Sequence, residues 1–232
     1  MPPVRLDYRL AFPDATEANA DGLVAIGGDM SVERLLLAYR NGIFPWTVNP
    51  ISWWSPDPRG IFELENFHVS RRLAQLRRQC AVEPTPIPSK EGSAKMQAPL
   101  PVPLLGAVRG GFTVTRNRAF RAVIEGCAAP GPGRGRSWIS RQFIAAYTAL
   151  RQAGHAHSVG GLFAGESMFH RAGNASKIAL VHLVEHLRER GFVLFDIQMV
   201  TPATHALGAV EISRSVYLQR LRAAVKLKCA FR

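Results

Sequence analysis

Cysteine is scarce in this 232-residue chain: Cys80, Cys127 and Cys229 are an odd number at wide spacing. That pattern excludes a disulfide framework and a CxxC-type metal site, and it fits a reducing compartment. Long apolar runs are missing too. The sequence starts Met1-Pro2-Pro3-Val4-Arg5 with Asp7 close behind and has no apolar leader, and no uninterrupted stretch approaches the length of a bilayer span. A soluble, unexported, cytoplasmic protein with no membrane partner is expected. Acidic residues are few: 17 Asp and Glu against 29 Lys and Arg leave a net charge of +12. So large an excess favours a polyanionic partner such as nucleic acid over an acidic small molecule, with a merely basic enzyme as the alternative. The Gly27-Gly28 and Gly131 to Gly135 runs lack the Gly-Lys-Ser/Thr ending of a phosphate loop and read as turns. His155-x-His157 stands without further clustered ligands, so no metal is expected.

What is present is enough apolar content, 47%, for a real core. Residues 1–80 read as one N-terminal unit, with a turn at Phe12-Pro13-Asp14 and Ser31 as N-cap of an apolar helix ending near Gly42. Pro45, Pro50, Pro56 and Pro58 then forbid long helices, and Ser70 opens a helix whose buried face is Leu73 and Leu76. Arg71, Arg72, Arg77 and Arg78 crowd the rest of that helix, the densest basic cluster in the chain. Residues 81–111 turn to Pro, Ser, Lys and Gly and read as a linker or insertion.

Residues 112–232 form the second unit. A strand over Phe112 to Thr115 precedes a helix marked by Phe120, Val123, Ile124 and Cys127, and Pro130 to Gly135 is a turn. Ser140 caps a helix ending at Gly154, and a strand-rich stretch runs from about His157 to Met168. Asn174 caps a long amphipathic helix closed by Gly191, Phe192 to Ile197 is a buried strand, and Ser213 to Val225 is a last helix. Strands alternating with helices predict a mixed α/β or α+β fold.

Several motifs occur in a fixed order: Asp21-Gly22-Leu23, Ala25 to Asp29, Ala38-Tyr39-Arg40, Gly42 to Trp46, and Trp53-Trp54-Ser55-Pro56-Asp57-Pro58-Arg59. Trp138-Ile139, Ala146-Tyr147, Ala156 to Val159, Gly165-Glu166-Ser167-Met168-Phe169, Asn174 to Lys177, Asp196-Ile197-Gln198 and Leu207-Gly208-Ala209 continue the series. Together they resemble the leucyl/phenylalanyl-tRNA protein transferases. The resemblance implies a GNAT-like acyltransferase domain with a smaller N-terminal domain. It also implies transfer of Leu, Phe or in some cases Met from aminoacyl-tRNA to proteins with N-terminal Arg or Lys, which marks them for degradation in the N-degron pathway. No cofactor is implied, and a monomer is the default expectation.

The sequence departs from the family pattern in three places. Val159 meets Gly160-Gly161-Leu162-Phe163 almost directly, so a segment about long enough for a two-stranded hairpin is missing and the Glu166 strand is expected at a sheet edge or displaced. The Pro-rich stretch of residues 83–110 is an insertion, and Thr201-Pro202-Ala203-Thr204 replaces a common His-Leu pair.

Transfer from an activated ester to an α-amine needs alignment more than a strong base, because an amine with reference pKa near about 8 is partly deprotonated at neutral pH. Gln198 can offer its amide N–H groups to an oxyanion, and Asp196, on the same strand face, can orient that amide or hold an ammonium. The plainer alternative is that both make local turn hydrogen bonds. Glu166 can attract the acceptor's ammonium or cationic side chain, or can pair with a neighbouring Arg. Met168, Phe163, Trp53, Trp54 and Tyr39 can wall an apolar aminoacyl pocket, although sequence alone makes most of them core. Arg71, Arg72, Arg77 and Arg78 can hold tRNA phosphates or form a solvated face. Two other readings stay open: a homologue that binds tRNA without transfer, and a GNAT-type N-acetyltransferase using acetyl-CoA.

Overall fold

The structure is a computed structural model that describes residues 3–82, 112–130, 137–155 and 158–231. Residues 83–111 of the linker expected over residues 81–111, residues 131–135 of the turn expected from Pro130 to Gly135, and His157 lie outside the described residues. Four strands come first: β1 Val4–Leu6, β2 Leu23–Gly27, β3 Phe44–Val48 and β4 Ile51–Trp54, with helix α1 Val32–Arg40 between β2 and β3. They form one sheet in the order β1-β2-β4-β3, parallel only at β1–β2.

Next come β5 Arg59–Phe62 and helix α2 Arg71–Arg78, then β6 Ala81–Val82, which pairs in parallel with β7 Thr113–Val114. The chain continues through α3 Phe120–Ala128, α4 Arg141–Gln152, β8 Ser158–Val159, β9 Leu162–Ala164, α5 Ala175–Glu189, β10 Leu194–Gln198, α6 Pro202–His205, β11 Ala209–Ile212 and α7 Arg214–Ala224. The second sheet runs β11-β5-β10-β9-β8, with β9 and β10 parallel. The mixed α/β class expected from the alternating pattern is therefore present. Among the described residues no helix is long and apolar enough to cross a membrane.

Local chemistry explains most helix starts. Ser31, Ser70, Ser140 and Ser213 each accept a hydrogen bond from the backbone N–H three residues on, satisfying a donor that the first turn leaves unpaired. Asn174 differs from expectation. It precedes α5 in a left-handed conformation, φ 66°, and its side chain makes no capping bond. The Thr201-Pro202-Ala203-Thr204 segment is the start of α6: Thr201 and Thr204 close a reciprocal capping box with Pro202 at the first helical position.

The second sheet separates two apolar clusters by strand alternation. Ile61, Leu162, Ala164 and Leu194 face the first cluster, with Leu35, Tyr39, Trp53, Phe143, Tyr147, Tyr217 and Leu221. Phe62 and Phe195 face the second, built on Ile178, Val181, Val184 and Leu187 of α5, with Phe163 packed against it. The unit expected over residues 1–80 thus shares its core with residues beyond 112, and its strand β5 lies between β10 and β11. Nor is β9 at an edge. The edge is the two-residue β8, hydrogen-bonded to β9 through the Gly160-Gly161 turn.

That turn docks on the end of α7, where Gly161 N–H donates to the Ala224 carbonyl at 2.7 Å. Gly160 has φ +59°, and a Cβ there would stand 2.6 Å from the Val225 carbonyl oxygen. Both the backbone conformation and the close approach require glycine. Gly160→Ala is expected to lower stability by about 1–3 kcal/mol in urea unfolding. Gly173→Ala, where a Cβ meets nothing within 4 Å, is the matched control expected to change little.

Candidate active site

At the centre of the second sheet a charge pair is entirely enclosed. Arg59 is 1% and Asp196 0% exposed. Arg59 Nε donates to Asp196 Oδ1 at 2.9 Å and Nη2 to Oδ2 at 2.6 Å, a bidentate fork. Arg59 Nη1 also donates to the Gly42 carbonyl at 3.1 Å, and the guanidinium lies 4.4 Å from the Tyr217 ring centroid and 4.9 Å from that of Phe44. Asp196 accepts two further bonds, from the Tyr217 hydroxyl at 2.9 Å and from the Gln198 backbone N–H at 2.9 Å. Its oxygens are thus occupied, so the expected role of holding an incoming ammonium does not fit it. The amide it orients is the backbone N–H of Gln198.

Gln198 is held in an unusual way. The β5–β10 pairing slips between Asp196 and Gln198, and Gln198 has φ 60°, a left-handed conformation that a non-glycine residue keeps only when its surroundings impose it. Gly60 lies opposite, where a Cβ would come 2.7 Å from the Met199 carbonyl carbon, so glycine lets the turn after Gln198 press onto β5. The side-chain Nε2 of Gln198 is buried without a hydrogen-bond partner. A buried unpaired donor at a strained strand end is costly, and such groups concentrate where a ligand completes them.

Glu166 leaves the sheet beside this turn, since Gly165 N–H donates to the Asp196 carbonyl at 2.8 Å and extends the parallel pairing by one residue. The Tyr39 hydroxyl donates to Glu166 Oε1 at 2.5 Å and the Tyr147 hydroxyl to Oε2 at 3.3 Å. Burial is the main reason that the Glu166 pKa rises to about 7; the tyrosine bonds and Arg59 pull it down, while the Asp196 charge pushes it up. Burial also raises both tyrosines well above their ordinary value, so they stay neutral donors. Glu166 is therefore half-ionised near neutrality and able to exchange a proton with an amine. The alternative of a simple Glu166–Arg pair is not what forms; Arg59 is taken by Asp196.

The expected aminoacyl wall divides. Tyr39 is in the site. Trp54 is half-buried, edge-on to Trp46 at 5.3 Å, and Met168 is 40% exposed. Trp53 is buried core: its indole N–H donates to the Gly27 carbonyl at 2.9 Å and its ring meets Phe12 edge-on at 4.8 Å. Phe163 lies on the opposite face of the sheet, against Phe195 at 5.4 Å and stacked on Phe231 at 5.1 Å, because period-two alternation sends it away from its neighbours Leu162 and Ala164. On α2, Arg77 is tied to Glu185 of α5 at 2.8 Å, while Arg71, Arg72 and Arg78 are exposed. Arg72 and the exposed Lys177 line one hollow of about 360 Å³ with His68 and Asn174. Among the described residues no three His, Cys, Asp or Glu side chains cluster as metal ligands.

Sequence reasoning passed over Arg59, Tyr147 and Tyr217 as site builders. One signal was available: Arg59 opens an otherwise apolar strand, Arg-Gly-Ile-Phe, and Asp196 interrupts another, Leu-Phe-Asp-Ile, which suits a mutual buried pair.

Residues 106–222 match the family model described as leucyl/phenylalanyl-tRNA protein transferase, and residues 28–57 match that of its N-terminal domain. The chain is 42% identical over 240 residues to the leucyl/phenylalanyl-tRNA protein transferase of Pseudomonas paraeruginosa, covering 94% of this chain and 93% of that one. This chain belongs to the leucyl/phenylalanyl-tRNA protein transferase family. Relatives of the same name from Shewanella pealeana (40% identical, 91% of this chain and 86% of that one) and Magnetococcus marinus (39%, 94% and 92%) are similar over comparable spans. In this transferase-family chain Arg59 lies between the two matched regions and bonds to both, to the Gly42 carbonyl in the first and to Asp196 in the second.

The raised pKa of Glu166 has a consequence for stability. Its proton is held more tightly in the fold, at about 7, than at the ordinary 4.5. The stability that this proton contributes is complete below about pH 4.5 and lost as pH rises through about 7. Glu166→Gln, neutral at every pH, is expected to flatten the fall in urea midpoint across that window and to be more stable than the parent at about pH 8. An unchanged slope would show that Glu166 titrates normally.

Proposed function

We propose that this chain transfers Leu or Phe, and Met less readily, from aminoacyl-tRNA to the N-terminal Arg or Lys of acceptor proteins, acting in the cytoplasm as a monomer and marking the products for N-degron degradation. Family membership supports the reaction class, and the observation that carries the site is the unpaired buried Gln198 amide at a strand end adjoining that of Glu166. The second sheet, with its parallel β9–β10 pair ending at these residues, is read as a GNAT-like acyl-transfer platform.

In this reading the acceptor's α-ammonium approaches Glu166 and loses a proton there or to solvent. The free amine then attacks the ester carbonyl on the tRNA 3′ end. Gln198 Nε2 donates to the developing oxyanion, which offers the partner that the folded chain does not supply. As the intermediate collapses, the new C–N bond is kept, the attacking nitrogen gives up its second proton, the ester C–O bond breaks, and the 3′ oxygen takes a proton to leave as a hydroxyl. The products are an acceptor one residue longer and deacylated tRNA. Asp196 and Arg59 act as positioning residues, and Tyr39 and Tyr147 fix the Glu166 carboxyl. Trp54 and Met168 remain the apolar surfaces open to the aminoacyl group, and Arg71, Arg72 and Arg78 the phosphate contacts of α2. Because the ester arrives activated, the reaction draws on no cofactor.

The shortness of β8 favours one second reading, a homologue that binds tRNA without transfer. Purified protein, labelled Phe-tRNA and a peptide beginning with Arg separate the two. Labelled product above blank is expected, falling about 100- to 1,000-fold in Gln198→Ala. Salt-sensitive tRNA binding with no product would reject the transfer reading.

A further inference from the structure

After Gly165 the chain runs through Glu166, Ser167, Met168, Phe169 and His170 without helix or strand, and α5 begins only at Ala175. A segment of this kind keeps its place through the side chains that anchor it. Ser167, Met168, His170 and Arg171 are exposed, whereas Phe169 is half-buried against the first apolar cluster. Its ring stands on Gly126, inside α3. A Cβ added at Gly126 would come 2.5 Å from Phe169 Cε1, 2.9 Å from Cε2 and nearer still to Cζ. The Arg171 guanidinium lies 5.7 Å from the centroid of the same ring. Glycine inside a helix is less favourable than any residue but proline, and Gly126 is not among the glycines with positive φ. Neither helix propensity nor backbone conformation calls for it. The ring does, because the notch that seats it exists only where residue 126 has no side chain.

The seat is close to the chemistry. Phe169 follows Glu166 by three residues, a span of at most about 10 Å even when extended. Both ends of that span lean on α4. The Tyr147 hydroxyl of α4 donates to Glu166 Oε2, and α3 shares the buried cluster of Ile124, Cys127, Phe143, Tyr147 and Leu150 with α4. The groups that act on the Glu166 carboxyl come from four other elements: Tyr39 of α1, Tyr147 of α4, Asp196 of β10 and Arg59 of β5. Moving Phe169 off its seat therefore shifts Glu166 relative to all of them.

We propose that Gly126 and Phe169 are positioning residues for the transfer reaction: the notch in α3 seats the Phe169 ring and thereby fixes the Glu166 carboxyl against its phenol donors. The inference rests on the transfer reading for what Glu166 does, but one of its readouts needs no transfer. Gly126→Leu keeps a good helix former and fills the notch. It is compared with the parent and with Gly126→Leu/Phe169→Ala, in which the leucine occupies the seat in place of the ring, with circular dichroism to confirm folding. In Gly126→Leu, kcat for Phe transfer is expected to fall by about 10- to 100-fold. Glu166 must be ionised to take the amine's proton, so the parent's activity is expected to fall below about pH 7. In Gly126→Leu that limb is expected to move down by about one unit or more, as water reaches the displaced carboxyl. The fall in urea midpoint between about pH 4.5 and 7 is expected to flatten for the same reason. The double variant is expected to recover most of kcat and the parent's pH dependence.

An unchanged kcat and pH limb in folded Gly126→Leu overturn the assignment, as does a loss that the double variant fails to reverse. If the parent transfers no Phe, the urea slope alone decides. A slope that flattens in Gly126→Leu and returns in the double variant leaves the seat assignment standing while the transfer reading fails; an unchanged slope overturns both.

Discussion

The Arg59–Asp196 pair is the constraint on which the rest of the structure depends. It bonds β5 to β10 through side chains as well as backbone, reaches the Gly42 carbonyl after α1, and takes in the Tyr217 hydroxyl from α7. Enclosed at 1% and 0% exposure, the pair costs several kcal/mol of desolvation per ion, which the bidentate geometry and added hydrogen bonds must offset. A buried pair of this kind is weak evidence for stability in itself. What it supplies is geometry: with one oxygen on the Gln198 N–H, Asp196 holds that residue in its left-handed turn.

From that turn two carboxylates acquire different characters. Asp196 is saturated by a guanidinium, a phenol and an amide. Glu166, desolvated and held only by neutral phenols, keeps its proton to about pH 7. The anion at Asp196 is itself one cause of the raised Glu166 pKa, so the structural charge tunes the titrating one. The two acids thus differ in their partners: one is filled by hydrogen bonds that fix the strand end, and the other is held by phenols.

Much of the local structure was legible in the sequence because short-range chemistry decides it. Four Ser caps, the α5 amphipathic face and the glycine after it were readable from spacing alone. The Gly165 to Phe169 and Asp196-x-Gln198 segments were also found, and the fold brings Glu166 and Gln198 to adjoining strand ends. What escaped was long-range. β5 reads as part of an N-terminal unit, yet it pairs with the distant strand β10, where Phe195 lies opposite Phe62 and Asp196 opposite Ile61. The face that Phe163 takes on β9 depends on which cluster lies beneath, and an aromatic beside a motif, as Trp53 is, looks the same in core and pocket. The shortness of the segment before Gly165 is visible in the sequence, but its outcome is not: β8 pairs with β9, and the turn between them docks on the end of α7.

In the proposed reaction Asp196 acts through position, by holding Gln198, rather than by touching the reacting groups. The most direct test of that role is the transfer kinetics of Asp196→Asn, which keeps the shape and removes the charge that Arg59 grips, compared with the parent at matched foldedness. In that variant kcat for Phe transfer is expected to fall by about 10- to 100-fold or more while KM for Phe-tRNA moves little, because an oxyanion donor acts in the transition state. An unaltered kcat in a folded Asp196→Asn protein would contradict it.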